Sequence, residues 1–153
     1  MRSVQLVAVR QIEVCETPLP GEHGPFEVLV KLRAVGLCGS DMHWYLDGRI
    51  GPVPAKFPQV LGHEPVGEIV AAGKQVHSVK PGDRVVVEPT VSCGHCEFCL
   101  VGAHNNCTRS YFMGSPQAEG FFRDFAIVPE HNVTLVPEDF TDQRATLIEP
   151  IAV

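Results

Sequence analysis

The stretch SCGHCEFCLVGAHNNC, Ser92 to Cys107, puts four of the chain's six cysteines into one short run. They stand at Cys93, Cys96, Cys99 and Cys107, a C-x-x-C-x-x-C-x7-C spacing. Two-residue spacings would close strained, tiny disulfide loops, and a reducing compartment opposes disulfides in any case. The same spacing suits a tetrahedral metal site, because short knuckles let successive thiolates converge on one ion about 2.3 Å from each sulfur. Gly94 relieves the first knuckle and Gly102 the long return. Zinc is the expected ion. A mononuclear iron or an iron–sulfur cluster also uses four thiolates, and four unrelated buried cysteines are the remaining reading. His95 and His104 lie inside the lobe, but four sulfurs already complete a tetrahedron, so both read as surface residues. A closed four-thiolate site has no open coordination position. Its expected role is to pin a lobe, residues 92–108, that has little core of its own.

Composition sets the frame around that lobe. The chain has 153 residues, 44% hydrophobic and 20% charged, the balance of one ordinary domain with a proper core. No apolar run is long enough to span a bilayer, and MRSVQLVAVR does not read as a signal peptide, so the expectation is a cytoplasmic protein with no membrane partner. The net charge of −6, without a basic stripe, disfavours a nucleic-acid partner. Ionising five ligand cysteines and adding two zinc ions leaves the chain acidic. Thirteen prolines and fourteen glycines cut the sequence into short pieces, which favours strands over long helices. Strand-like runs recur at SVQLVAV, EVLVKLRAV, PVGEIVAAG, DRVVVEP, FFRDFAIV and NVTLV. Short helices are expected after Ser40 and after Thr141, both acceptable N-caps.

The other two cysteines differ in context. Cys15, in QIEVCETPLP, reads as a small core residue. Cys38 lies in GLCGSDMHWYLDGRIG, and downstream QVLGHEPVGEIV carries the adjacent pair His63–Glu64. Thiolate, imidazole and carboxylate are all competent zinc ligands, and three protein ligands with an exchangeable fourth position define a catalytic zinc. The long gap between Cys38 and His63 makes spacing alone a weak signal. A buried cysteine with a surface His–Glu pair fits the same residues.

The order of the pieces carries more. GLCGSDMH, then LGHEPVGEIV, then KPGDRVVVEP, then the four-cysteine lobe, then LIEPIAV resembles the zinc-dependent medium-chain alcohol dehydrogenases over essentially the whole chain. Glu64 after His63, the DGRIG run and IEP around Glu149 look most like the polyol branch, the sorbitol and L-iditol dehydrogenases. L-threonine dehydrogenases share much of the pattern. The resemblance implies a mainly β, GroES-like β-barrel catalytic domain over 1–153, with short helices and a zinc-pinned lobe. It also implies a Rossmann domain binding NAD or NADP, and no G-x-G-x-x-G occurs in these residues. The expectation is therefore a catalytic-domain fragment that oxidises nothing alone. The full-length enzyme is expected to be a homo-oligomer acting on a small-molecule alcohol or polyol.

The same resemblance implies roles. Cys38, His63 and Glu64 would hold a catalytic zinc beside the structural one held by Cys93, Cys96, Cys99 and Cys107. Glu149 stands where related enzymes supply a cysteine ligand, and would bind that zinc directly or through water. Ser40 occupies the place of the hydroxyl that relays the substrate proton, and His43 that of the outer relay histidine. Asp41 would orient a ligand imidazole from behind. Trp44, Arg49 and Phe112 are candidate substrate-pocket residues by position. The competing reading is a free-standing zinc-binding GroES-like module without catalysis, since fold does not imply function.

Overall fold

The computed structural model describes all residues, 1–153. Twelve strands follow the chain: β1 Arg2–Ala8, β2 Gln11–Glu16, β3 Glu27–Gly36, β4 Arg49–Ile50, β5 Val53–Pro54, β6 Gln59–Val60, β7 Glu64–Ala72, β8 Arg84–Val87, β9 Thr90–Val91, β10 Tyr111–Phe112, β11 Phe125–Pro129 and β12 Val133–Leu135. Four short helices accompany them: α1 Gly39–Asp47, α2 Glu97–Leu100, α3 Asp142–Ala145 and α4 Ile148–Ala152. No helix is long and apolar enough to cross a membrane.

The central sheet has the order β11-β3-β7-β8-β12, with every neighbour antiparallel. Its long pair, β3 with β7, sets Gly36 opposite Glu64 at one end and Val28 opposite Ala72 at the other. Alternating valines and isoleucine on these strands (Val28, Val30, Ile69, Val85, Val87, Val128) are fully or almost fully buried around Phe121. Burying side chains of this size contributes roughly 1.5–3 kcal/mol each. A second sheet, β2-β1-β6, is joined to the first through residues 121–124. There the Val4 amide donates to the Phe122 carbonyl (2.7 Å), the Asp124 amide to Arg2 (3.0 Å) and the Leu32 amide to Asp124 (2.8 Å). FFRDFAIV therefore divides its work: Phe125 onward forms a strand, while Phe121 to Asp124 ties two sheets.

Two local expectations need correction. The cap of α1 is Cys38, not Ser40. Asp41, at the third helical position, accepts the Cys38 amide through Oδ2 (3.1 Å), which fixes the helix start two residues earlier than a Ser40 cap would. Cys15 is half-buried rather than core, because β2 is an edge strand with nothing packed on its outer side. The expectation for Thr141 holds: its Oγ1 accepts the Arg144 amide at 3.2 Å.

Candidate metal centres

In the lobe, the chain turns at Gly94 and Gly102, both in left-handed backbone (φ 74° and 82°). The four sulfurs lie within 4.8 Å of one another. Cys96 Sγ is 3.5 Å from Cys99 Sγ, and Cys93 Sγ is 4.0 Å from Cys99 Sγ. Sulfurs about 2.3 Å from a central ion form a tetrahedron with edges of about 3.8 Å, so these separations bracket a single ion. They are far from the 2.0 Å of a disulfide, and all six cysteines are free. A cage this small fits one ion rather than a multi-iron cluster.

The lobe's electrostatics ask for a cation. Backbone N–H groups of Cys99 and Thr108 point at Cys96 and pull its thiol down to about 5. Burial, then the neighbouring Cys96 sulfur, push Cys99 up to about 11. Amides of Cys93 and Arg109 donate to Cys107 Sγ at 3.3 and 3.4 Å. A nest that favours one thiolate while crowding others beside it is balanced by a positive ion among them. Cys93, Cys96, Cys99 and Cys107 with Phe98 are also the lobe's entire apolar cluster.

The second centre is assembled by the central sheet. Cys38 follows β3 as the cap of α1, Glu64 opens β7, and His63 precedes it; their donor atoms lie within 4.8 Å of one another. His63 and Glu64 are buried and Cys38 half-buried. Asp41, only 2% exposed, holds the two segments together. Its Oδ2 takes the Cys38 amide and its Oδ1 the Gly62 amide, each at 3.1 Å. Its Oδ1 also stands 3.7 Å from His63 Nδ1, a buried nitrogen without a hydrogen-bond partner. Nδ1–H toward Asp41 leaves Nε2 as the ligating nitrogen. Nε2 lies 3.5 Å from Ser40 Oγ. Phe112 closes one side, its ring centroid 5.2 Å from that of His63. The set offers a soft, a borderline and a hard donor, with one tetrahedral position left over, and that suits zinc.

The remaining candidates are spread around this centre. Glu149, on α4, lies outside the three-donor set, yet it senses it. Burial raises its carboxyl above the usual range, His63 opposes the rise and Glu64 adds to it. Ser40 and His43, three residues apart, share a face of α1. His43 is exposed and its Nδ1 pairs with Asp47 Oδ2 at 3.1 Å. Arg49 is exposed on the β4–β5 hairpin. Trp44 is buried and packs against Leu6 and Leu61. Sequence reading missed Gly36, whose missing side chain makes room for the Glu64 carboxylate. Only the β3–β7 register reveals it.

The structure is thus a mainly β domain that carries a four-cysteine lobe and an open cysteine–histidine–glutamate centre. The chain belongs to the alcohol dehydrogenase GroES-like domain family, which matches residues 24–138. It is 41% identical over 153 residues to sorbitol dehydrogenase of Bacillus subtilis (strain 168), covering 100% of this chain and 43% of that protein. It is 36% identical over 151 residues to the probable D-xylulose reductase A of Neosartorya fischeri, covering 99% of this chain and 42% of that protein. Galactitol-1-phosphate dehydrogenase from Escherichia coli superposes with a TM-score of 0.88 at 34% identity, over 99% of this chain and 42% of its own. The chain thus spans less than half the length of these relatives.

Proposed function

We propose that residues 1–153 are the zinc-binding catalytic domain of an NAD(P)-dependent dehydrogenase that oxidises a polyol or secondary alcohol to a ketone. The observation that supports this most is the convergence of Cys38, His63 and Glu64, which no closed structural site needs. Cys38, His63 and Glu64 hold a catalytic zinc, with Glu149 as an adjacent carboxylate, and the lobe cysteines hold a structural one. When bound, zinc supplies Lewis acidity that lowers the pKa of a substrate hydroxyl, and a nicotinamide supplies the hydride acceptor. Ser40 accepts the hydroxyl proton on Oγ and passes its own to His43. Exposure of His43 lets that proton leave to water. Asp41 keeps the His63 ring oriented, and Phe112 excludes water from one side. A nucleotide-binding domain forms the other wall of the cleft, so the 153 residues alone reduce no NAD.

Metal analysis and turnover test the reading together. Expected are two zinc ions per chain, falling to one in Cys38→Ser. Joined to a nucleotide-binding domain, the chain should reduce NAD with sorbitol or xylitol, and Cys38→Ser should not. A single zinc in the unaltered protein, or iron in the lobe, refutes the metal assignment. An inert two-domain protein with both zincs bound points instead to a zinc-binding module without catalysis.

A further inference from the structure

The segment that carries Glu149 is poorly equipped to hold itself. Helix α4 has five residues, one of them Pro150, and its cap Leu147 makes no side-chain hydrogen bond. Helices this short are not stable on their own. The preceding α3 has four residues, and its buried contact is a single alanine, Ala145. Ile148 adds a partly buried contact on the small cluster of Val66, Val86, Val136 and Ala145. Small apolar contacts of this kind hold two short helices on a sheet without fixing their rotation.

A polar contact supplies what they lack. Asp142 Oδ2 accepts Arg33 Nε at 2.8 Å, and Asp142 Oδ1 lies 3.2 Å from Arg84 Nη2. Arg33 comes from β3 and Arg84 from β8, the strands on either side of β7. Arg33 Nη1 also donates to Glu68 of β7 at 3.1 Å, and Arg84 Nη2 donates to the Phe140 carbonyl at 2.6 Å. The start of α3 is thereby referenced to three adjacent strands. The middle one, β7, begins with Glu64. We infer that Asp142, clamped between Arg33 and Arg84, is a positioning residue that sets Glu149 beside the Cys38, His63 and Glu64 donors. The inference rests on the reading of Glu149 as a group that acts at that centre.

The three side chains are partly exposed, and ion pairs in that setting contribute little to stability. A purely structural role therefore predicts almost nothing for their loss, whereas a positional role predicts a change at the metal. The test uses the 153-residue chain with Zn2+ in the lobe and Co2+ titrated into the second centre, followed by its d–d bands. Glu149→Gln and Asp142→Asn should each weaken Co2+ binding by about tenfold or more, the range for groups that support a metal ligand. The double variant should bind no more weakly than Glu149→Gln alone, because Asp142 works through Glu149. If Asp142→Asn fails to fold, Arg33→Gln enters the same cycle, since it leaves both Arg84 contacts in place. Wild-type Co2+ binding in the clamp variant, or additive weakening in the double variant, overturns the inference while the role of Glu149 stands. Wild-type behaviour in Glu149→Gln overturns the role of Glu149 and the inference with it. No second Co2+ in the unaltered chain refutes the open centre itself.

Discussion

Gly36→Ala should empty the open centre and leave the lobe filled. Gly36 on β3 pairs with Glu64 on β7. A Cβ at position 36 lies 1.9 Å from Glu64 Oε2, 3.0 Å from its Cδ and 2.9 Å from its Cβ. Ordinary contact begins near 3.4 Å, so the carboxylate must move by about 1.5 Å. The side chain could swing, but Glu64 is only 7% exposed and the clash with its Cβ remains wherever the carboxylate goes. The paired strands must part slightly as well. Overpacking of this kind costs about 1–3 kcal/mol. The metal is more exacting than the fold, since ligand distances tolerate only about 0.2 Å. Loss of the Glu64 donor should weaken zinc by at least about 10–100-fold, or roughly 1.4–2.7 kcal/mol.

Zinc content and a chelator competition titration read this directly. One tightly held zinc per chain is expected, with a modest drop in melting temperature. Gly39→Ala is the control for a methyl placed near Cys38. A Cβ there meets nothing within 4 Å, and the first helical turn accepts alanine readily. It should keep both ions and melt no lower than the unaltered protein. If Gly36→Ala holds two zinc ions with unchanged affinity, the assignment of Glu64 as a ligand is wrong.

Cys99→Ser should lower the melting temperature more than Cys38→Ser, because the lobe has no apolar core beyond its cysteines and Phe98; a larger drop for Cys38→Ser in thermal unfolding would show that the lobe is not held by its metal. Glu130 accepts the amides of Ser78 and His77 at 2.6 and 2.7 Å, and these hold its carboxyl below the usual range. A depressed carboxylate contributes its stabilisation fully above its unfolded pKa, near 4.3, and loses it as pH falls through the lower folded value. Glu130→Gln should therefore flatten the acid side of the stability–pH curve below about pH 4 and narrow the gap to the unaltered protein there; an unchanged acid slope would refute the assignment.

What the sequence makes legible follows contact range. The six apolar runs become strands β1, β3, β7, β8, β11 and β12, because alternation and Pro–Gly punctuation act within a few residues. Thr141 is recognisable as a cap for the same reason. The two-residue strands β4, β5, β6, β9 and β10 carry no period of their own and exist only through their partners. Ser40 misleads because a cysteine is an unusual cap, although Asp41 three residues after Cys38 spells out the reciprocal half of a capping box. Trp44 reads as a pocket residue by its nearness to Cys38 in the chain. In the structure it is buried against Leu6 and Leu61. Gly36 and Asp142 are invisible in one dimension, because each acts on a group far away in sequence.

The two centres divide along the same line, and this bears on stability as well as on legibility. The lobe cysteines fall within one short loop, so their metal can be gathered before the sheets exist and then anchors residues that lack a core. Cys38, His63 and Glu64 meet only when β3 has paired with β7, the pair that also builds the main core. An unfolded chain cannot present that donor set. Metal bound there is linked to the whole fold, and it stabilises the native state by an amount that grows with free zinc relative to its dissociation constant. Asp41 makes the linkage tight, since one buried carboxylate holds the Cys38 cap, the Gly62 turn and the back of His63. The pairing of β3 with β7, which sets Gly36 opposite Glu64, is therefore also the step that completes the second centre.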